Sequence, residues 1–190
     1  MLYFGSFNPV HKGHVAVAEW VLRHELCEEL WFVVSPRNPF KDSGTLVSKR
    51  KRLEMVQIAV DGSAYARQMK VCDIEFSLPK PSYTADTLAV LRTEFPDMEF
   101  SLLVGGDIPE KFSCWKNSEQ IAAEYTIYVY PRRGYDLSQI DPFFRVLNDA
   151  PFEDFSSTEI RRGLLSDSAG GMLAEDVSKY IKNNNLWKTE

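Results

Sequence analysis

The stretch Gly5-Ser6-Phe7-Asn8-Pro9-Val10-His11-Lys12-Gly13-His14 decides how the rest of the chain is read. Met1-Leu2-Tyr3-Phe4 precede it as a short apolar run, the pattern of a first strand. After it, Val15, Ala18, Leu22 and Leu26 recur at helical spacing. The stretch is therefore the end of a strand, a glycine-bounded loop and the start of a helix. The first N–H groups of a helix have no internal partners, and the helix dipole favours an anion beside them. Such a turn in an α/β sheet is a phosphate site. Gly5 and Gly13 are expected to let backbone approach the ligand without a Cβ in the way.

The chain has three histidines, and two of them, His11 and His14, lie in this stretch; the third is His24. A single histidine at a helix start is ordinarily a packed or solvated side chain. A pair beside free helix N–H groups has a further use. Imidazole donates a hydrogen bond whether neutral or charged, so two of them suit a phosphate that gains charge during reaction.

The 190 residues suffice for one domain with a sizeable core. Hydrophobic residues make up 44 % and charged residues 26 %, as in an ordinary globular protein. The formal net charge of −5 argues against a nucleic-acid partner, which needs a basic stripe. Any polyphosphate site must then be a local positive region on an acidic protein. Cys27, Cys72 and Cys114 are odd in number and far apart, which fits reduced thiols rather than a disulfide framework or a zinc site. No charged and then apolar leader and no membrane-length run is present, so the expectation is a cytoplasmic protein without a membrane partner.

Further along, Leu30 to Val34 is a continuous apolar run, the pattern of a strand buried on both faces. A proline-bearing loop, Ser35 to Asp42, follows it. Ser48 opens a helix with Leu53, Val56 and Val60 inward, and its basic run Lys49-Arg50-Lys51-Arg52 reads as a solvated face. Strands are expected at 69–76, 100–104, 125–130 and 143–147. Helices are expected from Thr84, acting as N-cap, to about Glu94, in short pieces after Pro109 and Ser118, from Ser156 to Leu165, and over 174–182. Strands alternating with helices make an α/β fold, a Rossmann-like doubly wound parallel sheet in a single domain. Neither a Gly-x-Gly-x-x-Gly nor a P-loop pattern occurs, which weakens a dehydrogenase or P-loop reading.

Other loops fall over the same sheet edge. Phe155-Ser156-Ser157-Thr158-Glu159-Ile160-Arg161 carries a capping box at Ser156 and Glu159. A helix start with hydroxyls and a nearby arginine is also a polyphosphate clamp. Pro81-Ser82-Tyr83-Thr84 by itself reads as a helix cap. Asp107, after Gly105-Gly106 at a strand end, sits where a carboxylate accepts from ribose hydroxyls. Trp115, in a polar Ser-Cys-Trp-Lys loop, is a candidate stacking surface, with a core position as the alternative.

Gly5 to His14 resembles the signature of the HxGH nucleotidyltransferases, and Ser156 to Arg161 is similar to the Ser-Ser-Thr-x-Ile-Arg motif of the same superfamily. Pro81 to Leu88, Gly105-x-Asp107, Trp115 and the late Leu186-Trp187-Lys188 together resemble the bacterial nicotinate-nucleotide adenylyltransferases. The likeness runs from Gly5 to Trp187. It departs at Asn8, where aspartate is common, at Asn38-Pro39-Phe40-Lys41, which lacks a histidine, and at Arg132-Arg133-Gly134, which lacks a proline.

The resemblance implies transfer of AMP from ATP to nicotinate mononucleotide in NAD biosynthesis, with pyrophosphate released. It implies His11, His14, Lys41 and Arg161 as catalytic residues. ATP would be held by Gly5, Ser6, Phe7, His11, His14 and Gly105, with Asp107, Arg132, Ser157, Thr158 and Arg161. Nicotinate mononucleotide would contact Ser6, Thr84, Asp107, Trp115 and Lys116. The domain would span 1–190, with 156–190 a helical segment completing the ATP site. Mg²⁺ would come in on ATP, with no cage of protein side chains. Partners would be these small molecules, with the oligomeric state open, a homo-oligomer included. The alternatives are another adenylyl- or cytidylyltransferase, acting on nicotinamide mononucleotide or phosphopantetheine, and a non-catalytic nucleotide sensor on the same fold.

Overall fold

A computed structural model describes residues 1–36, 45–152, 155–164 and 171–187. Among these residues six strands form one sheet: β1 (Leu2–Gly5), β2 (Leu30–Val34), β3 (Met69–Cys72), β4 (Leu102–Gly105), β5 (Ile127–Tyr130) and β6 (Phe144–Val146). All pairings are parallel, in the order β3-β2-β1-β4-β5-β6. The order reverses between β1 and β4, and loops from the strand C-termini diverge there to leave a crevice.

Among the described residues six α-helices cover the sheet: α1 (Lys12–Arg23), α2 (Lys49–Asp61), α3 (Thr84–Glu94), α4 (Ser118–Glu124), α5 (Ser157–Leu164) and α6 (Glu175–Asn183). Alternation along the strands sorts the side chains into two cores. Tyr3, Leu30, Phe32, Val34 and Leu103 pack with Val17, Ala18, Val21 and Leu22 of α1, with Met55, Val56, Ala59 and Val60 of α2, and with residues of α5 and α6. Leu2, Trp31, Val33, Leu102, Val104, Ile127 and Val129 face the other way, against Leu88 and Leu91 of α3 and Ile121 of α4. The sheet is thus doubly wound, as the alternation of apolar runs leads one to expect. Among the described residues no helix is long and apolar enough to cross a membrane.

Three local expectations change. The strand expected over 69–76 stops at Cys72, and Ile74–Phe76 forms a 3₁₀ turn. This turn buries the Glu75 side chain, which accepts hydrogen bonds from Ser82 Oγ (2.9 Å) and Thr87 Oγ1 (3.0 Å). Thr84 is not the cap of α3 but its first helical residue; Tyr83, with φ −110 and ψ 144, is the N-cap and contributes no side-chain cap. The basic run Lys49–Arg52 is not a uniformly solvated face, because Arg52 is fully buried. Its neighbour Lys49 donates to the Phe76 carbonyl and lies over the Phe76 ring.

Candidate functional site

The opening loop is shaped by its own aromatic residue. Phe7 has φ 43, in the left-handed region, which turns its ring back beneath the strand end. A Cβ on Gly5 would lie 2.8 Å from that ring, so glycine at 5 makes room for Phe7. The Phe7 ring then meets Tyr3, His14 and Phe32 at centroid distances of 5.6, 5.1 and 5.4 Å. Asn8 ties the loop to a neighbouring segment: its Nδ2 donates to the Thr45 carbonyl (3.1 Å) and its Oδ1 accepts from the Val47 N–H (3.1 Å).

His11 is the N-cap of α1, and the two imidazoles lie with centroids 3.6 Å apart. The His11 backbone N–H donates to His14 Nδ1 at 3.2 Å. That bond makes Nδ1 an acceptor and assigns the His14 proton to Nε2. His11 is 8 % exposed. Burial, aided by the positive charge of Arg132, brings its pKa down to about 3, so it is neutral at physiological pH. Its Nδ1 is buried with no hydrogen-bond partner among the described residues.

The start of α5 docks onto this loop. Glu159 accepts from the Ser156 N–H (2.7 Å), and the Glu159 N–H reaches Ser156 Oγ at 3.3 Å, completing the expected capping box. Ser157 Oγ donates to the Pro9 carbonyl (2.9 Å). Arg161 Nη1 donates to the Asn8 carbonyl (2.7 Å), across 153 positions of sequence, and its Nη2 reaches Thr158 Oγ1 at 3.2 Å. The two motifs are therefore in direct contact.

Across the switch point, Arg132 Nη1 pairs with Asp107 Oδ1 at 2.8 Å. A Cβ on Gly105 would come within 2.6 Å of Arg132 Cδ and 2.7 Å of that oxygen, so glycine at 105 leaves room for the pair. Beneath it the Tyr3 hydroxyl donates to that of Tyr130 (2.9 Å), and burial raises both phenols' pKa, so both stay protonated. On the far side Lys116 Nζ pairs with Asp86 Oδ1 (2.6 Å) and lies 5.4 Å from the Tyr83 ring centre. Trp115 packs on Phe112 at 5.4 Å between ring centres.

These pieces line a single cleft of about 640 Å³ at the C-terminal ends of the strands. It takes in Gly5, Ser6, Phe7, Asn8, His11 and His14, then Thr84, Gly105, Asp107, Trp115, Lys116 and Arg132, and finally Ser157, Thr158 and Arg161. Every site residue expected from sequence is thus gathered there except Lys41, which lies outside the described residues, as do Asn38, Pro39 and Phe40. Among the described residues no three His, Cys, Asp or Glu side chains come together as a metal site.

Two residues that the sequence reading passed over belong to this architecture. Glu75 lines the cleft beneath Ser82 and Thr87. Arg52 lies under the opening loop and donates to four carbonyl oxygens: Ser6 (2.5 Å), Ser35 (2.7 Å), Pro36 (2.9 Å) and Val47 (3.0 Å). Its signal was available. Position 52 falls in the helical series with Met55, Val56 and Ala59, all buried.

Residues 2–163 match the family model described as cytidylyltransferase-like. A relative from Bacteroides fragilis is 45 % identical over 165 residues, covering 86 % of this chain and 80 % of its own length. One from Christiangramia forsetii is 40 % identical over 191 residues, covering 98 % and 97 %. Both are named "Probable nicotinate-nucleotide adenylyltransferase". The solved structure of Plasmodium falciparum nicotinic acid mononucleotide adenylyltransferase complexed with NaAD shares the fold, with a TM-score of 0.84 at 21 % identity over 98 % of this chain and 95 % of that one. The chain therefore belongs to the cytidylyltransferase-like nucleotidyltransferases and, within them, to the family of nicotinate-nucleotide adenylyltransferases.

Proposed function

We propose that the protein transfers AMP from ATP to nicotinate mononucleotide, giving nicotinate adenine dinucleotide and pyrophosphate in NAD biosynthesis. The observation that carries this reading is the meeting of four segments on one cleft. The paired histidines at the α1 start, the Ser157–Arg161 helix start and the Tyr83–Thr84 and Trp115 loops all line it. The relatives' names support the choice of acceptor, as does the dinucleotide bound to the Plasmodium protein. The work is that of a cytoplasmic enzyme drawing on ATP.

In the proposed reaction a phosphate oxygen of the mononucleotide attacks the α-phosphorus of ATP. The new O–P bond forms as the bond from the α-phosphorus to the bridging oxygen breaks, and pyrophosphate leaves with that electron pair. The attacking phosphate is already anionic near neutral pH, so no strong base is needed. Catalysis rests on holding two anions in line and stabilising charge as it moves. His14, with its proton on Nε2, donates to the phosphates, and the neutral His11 beside it offers a second imidazole. The Ser6–Phe7 backbone adds a donor fixed in advance, and α1 adds the positive end of its dipole, its Lys12 N–H being taken by the Met172 carbonyl.

Arg161, Ser157 and Thr158 hold the β- and γ-phosphates, with Lys41 in the same role. Asp107 and Arg132 sit where the ribose and the α-phosphate meet, while Thr84, Trp115 and the Lys116 backbone receive the pyridine end. Mg²⁺ offsets triphosphate charge when bound to ATP. The residues present fit a metal carried by the nucleotide, since Asp107, the carboxylate proposed beside the ribose, is already paired with Arg132.

The test follows an isotope. With ATP labelled at the α-phosphorus, label is expected in the dinucleotide and none in the pyrophosphate. Label in the pyrophosphate, or ATP bound with no dinucleotide formed, would overturn the proposal.

A further inference from the structure

Among the described residues Arg52 is the largest fully buried side chain, and the reaction as described makes no use of it. It enters from the first turns of α2, the helix capped by Ser48, whose Oγ accepts from the Lys51 N–H. Its guanidinium draws together three separate segments. These are the loop after β1 through Ser6, the loop after β2 through Ser35 and Pro36, and the approach to α2 through Val47. All four acceptors are neutral carbonyls, and no carboxylate pairs with the guanidinium among the described residues. Buried arginines ordinarily face a carboxylate, because an unpaired charge in a protein interior is costly. Here, among the described residues, the guanidinium is met by carbonyl oxygens directly beneath the opening loop. Burial pushes its pKa only to about 10, which leaves it protonated at neutral pH.

The contact with Ser6 has a geometric consequence. The Ser6–Phe7 peptide is not among the cis bonds, so its C=O and N–H point in opposite directions. With the carbonyl drawn inward to Arg52, the Phe7 N–H is turned the other way, toward the cleft that Ser6 and Phe7 line. Phe7 itself has φ 43, in the left-handed region.

We propose that Arg52 is a positioning residue for the triphosphate: it fixes the Ser6–Phe7 peptide with its N–H toward the nucleotide and sets a permanent positive charge beneath the phosphate-binding loop. The proposal rests on the reading of this cleft as an ATP site. It adds, on an acidic chain, a buried positive charge to those of Arg132 and Arg161 that line the cleft. In a low-dielectric interior such a charge is screened less than one in water.

Ser6-Phe7 is the only Ser-Phe pair in the sequence, so serine labelled with ¹³C at the carbonyl and phenylalanine labelled with ¹⁵N isolate that one amide by NMR. In the wild-type protein this resonance is expected to shift on saturation with Mg²⁺ and the α,β-methylene analogue of ATP. In Arg52→Lys, which keeps the charge but lacks the fork that reaches several carbonyls, the shift is expected to shrink. The KM for ATP is expected to rise at least about tenfold, while that for the mononucleotide stays within about twofold. An unmoved Phe7 amide in saturated wild-type protein would overturn the proposal, and that measurement decides alone if the variant does not fold. Equal rises in both KM values, or none in a folded variant, would also overturn it, leaving Arg52 a general structural residue. Those outcomes leave the ATP site standing, whereas an analogue that fails to bind the wild type would remove the site and the proposal together.

Discussion

At one end of the cleft a buried cation, Arg52, gathers carbonyl oxygens; at the other a buried carboxylate, Glu75, gathers hydroxyls. Both are almost wholly excluded from solvent. They differ in reach. Arg52 bonds residues 5, 16, 17 and 46 positions away, so the phosphate end exists only once β1, β2 and α2 have come together. Glu75 bonds residues 7 and 12 positions away, so the acceptor end is organised largely within the segment from the 3₁₀ turn to the first turns of α3. In the proposed reading the phosphate chemistry draws on long-range structure, and acceptor binding draws in part on a local clasp. A change in the clasp should alter acceptor binding and leave ATP binding alone.

The largest effect is expected at the phosphate end. If His14 stabilises the transition state through Nε2–H, His14→Ala should lower kcat by about 10²-fold or more, the usual loss for one electrostatic donor. Steady-state kinetics check this, and a change confined to KM would contradict it. Next comes the acceptor clasp. Glu75→Ala leaves the Ser82 and Thr87 hydroxyls without their buried acceptor, which should cost about 1–3 kcal/mol of stability in urea unfolding. Its kinetic mark should be a raised KM for the mononucleotide beside an unchanged KM for ATP. If both constants move together, the two ends are not separate.

A smaller effect is expected from pH. The folded pKa of His11 is about 3, below its ordinary 6.5. Between those values the unfolded chain binds a proton that the folded protein refuses, so stability rises with pH and falls as pH drops through this window. The slope from His11 is at most about 1.4 kcal/mol per pH unit. Unfolding of His11→Asn across pH 3 to 7 should show a shallower dependence than the wild type, and parallel curves would contradict the assignment. Trp115→Ala should have the least effect, about 1 kcal/mol in mononucleotide binding with ATP binding unchanged, as read by calorimetry.

Much of the fold was legible because local and global signals agreed. Leu30–Val34 reads as a doubly covered strand and is one, buried at every position. The histidine stretch and the Ser157–Arg161 segment were legible as separate helix starts; their contact through Asn8 and Pro9 was not, since nothing local encodes a bond across 153 positions. Asn8 failed for the same reason, its partners Thr45 and Val47 lying 37 and 39 positions on. Glu75 was hidden by the apolar pattern around it, which reads as strand through Phe76, whereas the chain leaves the sheet after Cys72 to bury that carboxylate. Arg52 was hidden by its neighbours. In a run of four basic residues the exposed ones set the expectation, and only the helical phase of position 52 separates it from them.

The central claim is that this one cleft joins ATP to nicotinate mononucleotide. Pyrophosphate release by the wild-type protein, with Mg²⁺ and ATP held saturating and nicotinate mononucleotide, nicotinamide mononucleotide or phosphopantetheine varied in turn, tests it most directly. The account predicts release that saturates with nicotinate mononucleotide and has the highest kcat/KM for that acceptor. Release no faster than with ATP alone, or a higher kcat/KM for either other acceptor, would contradict it.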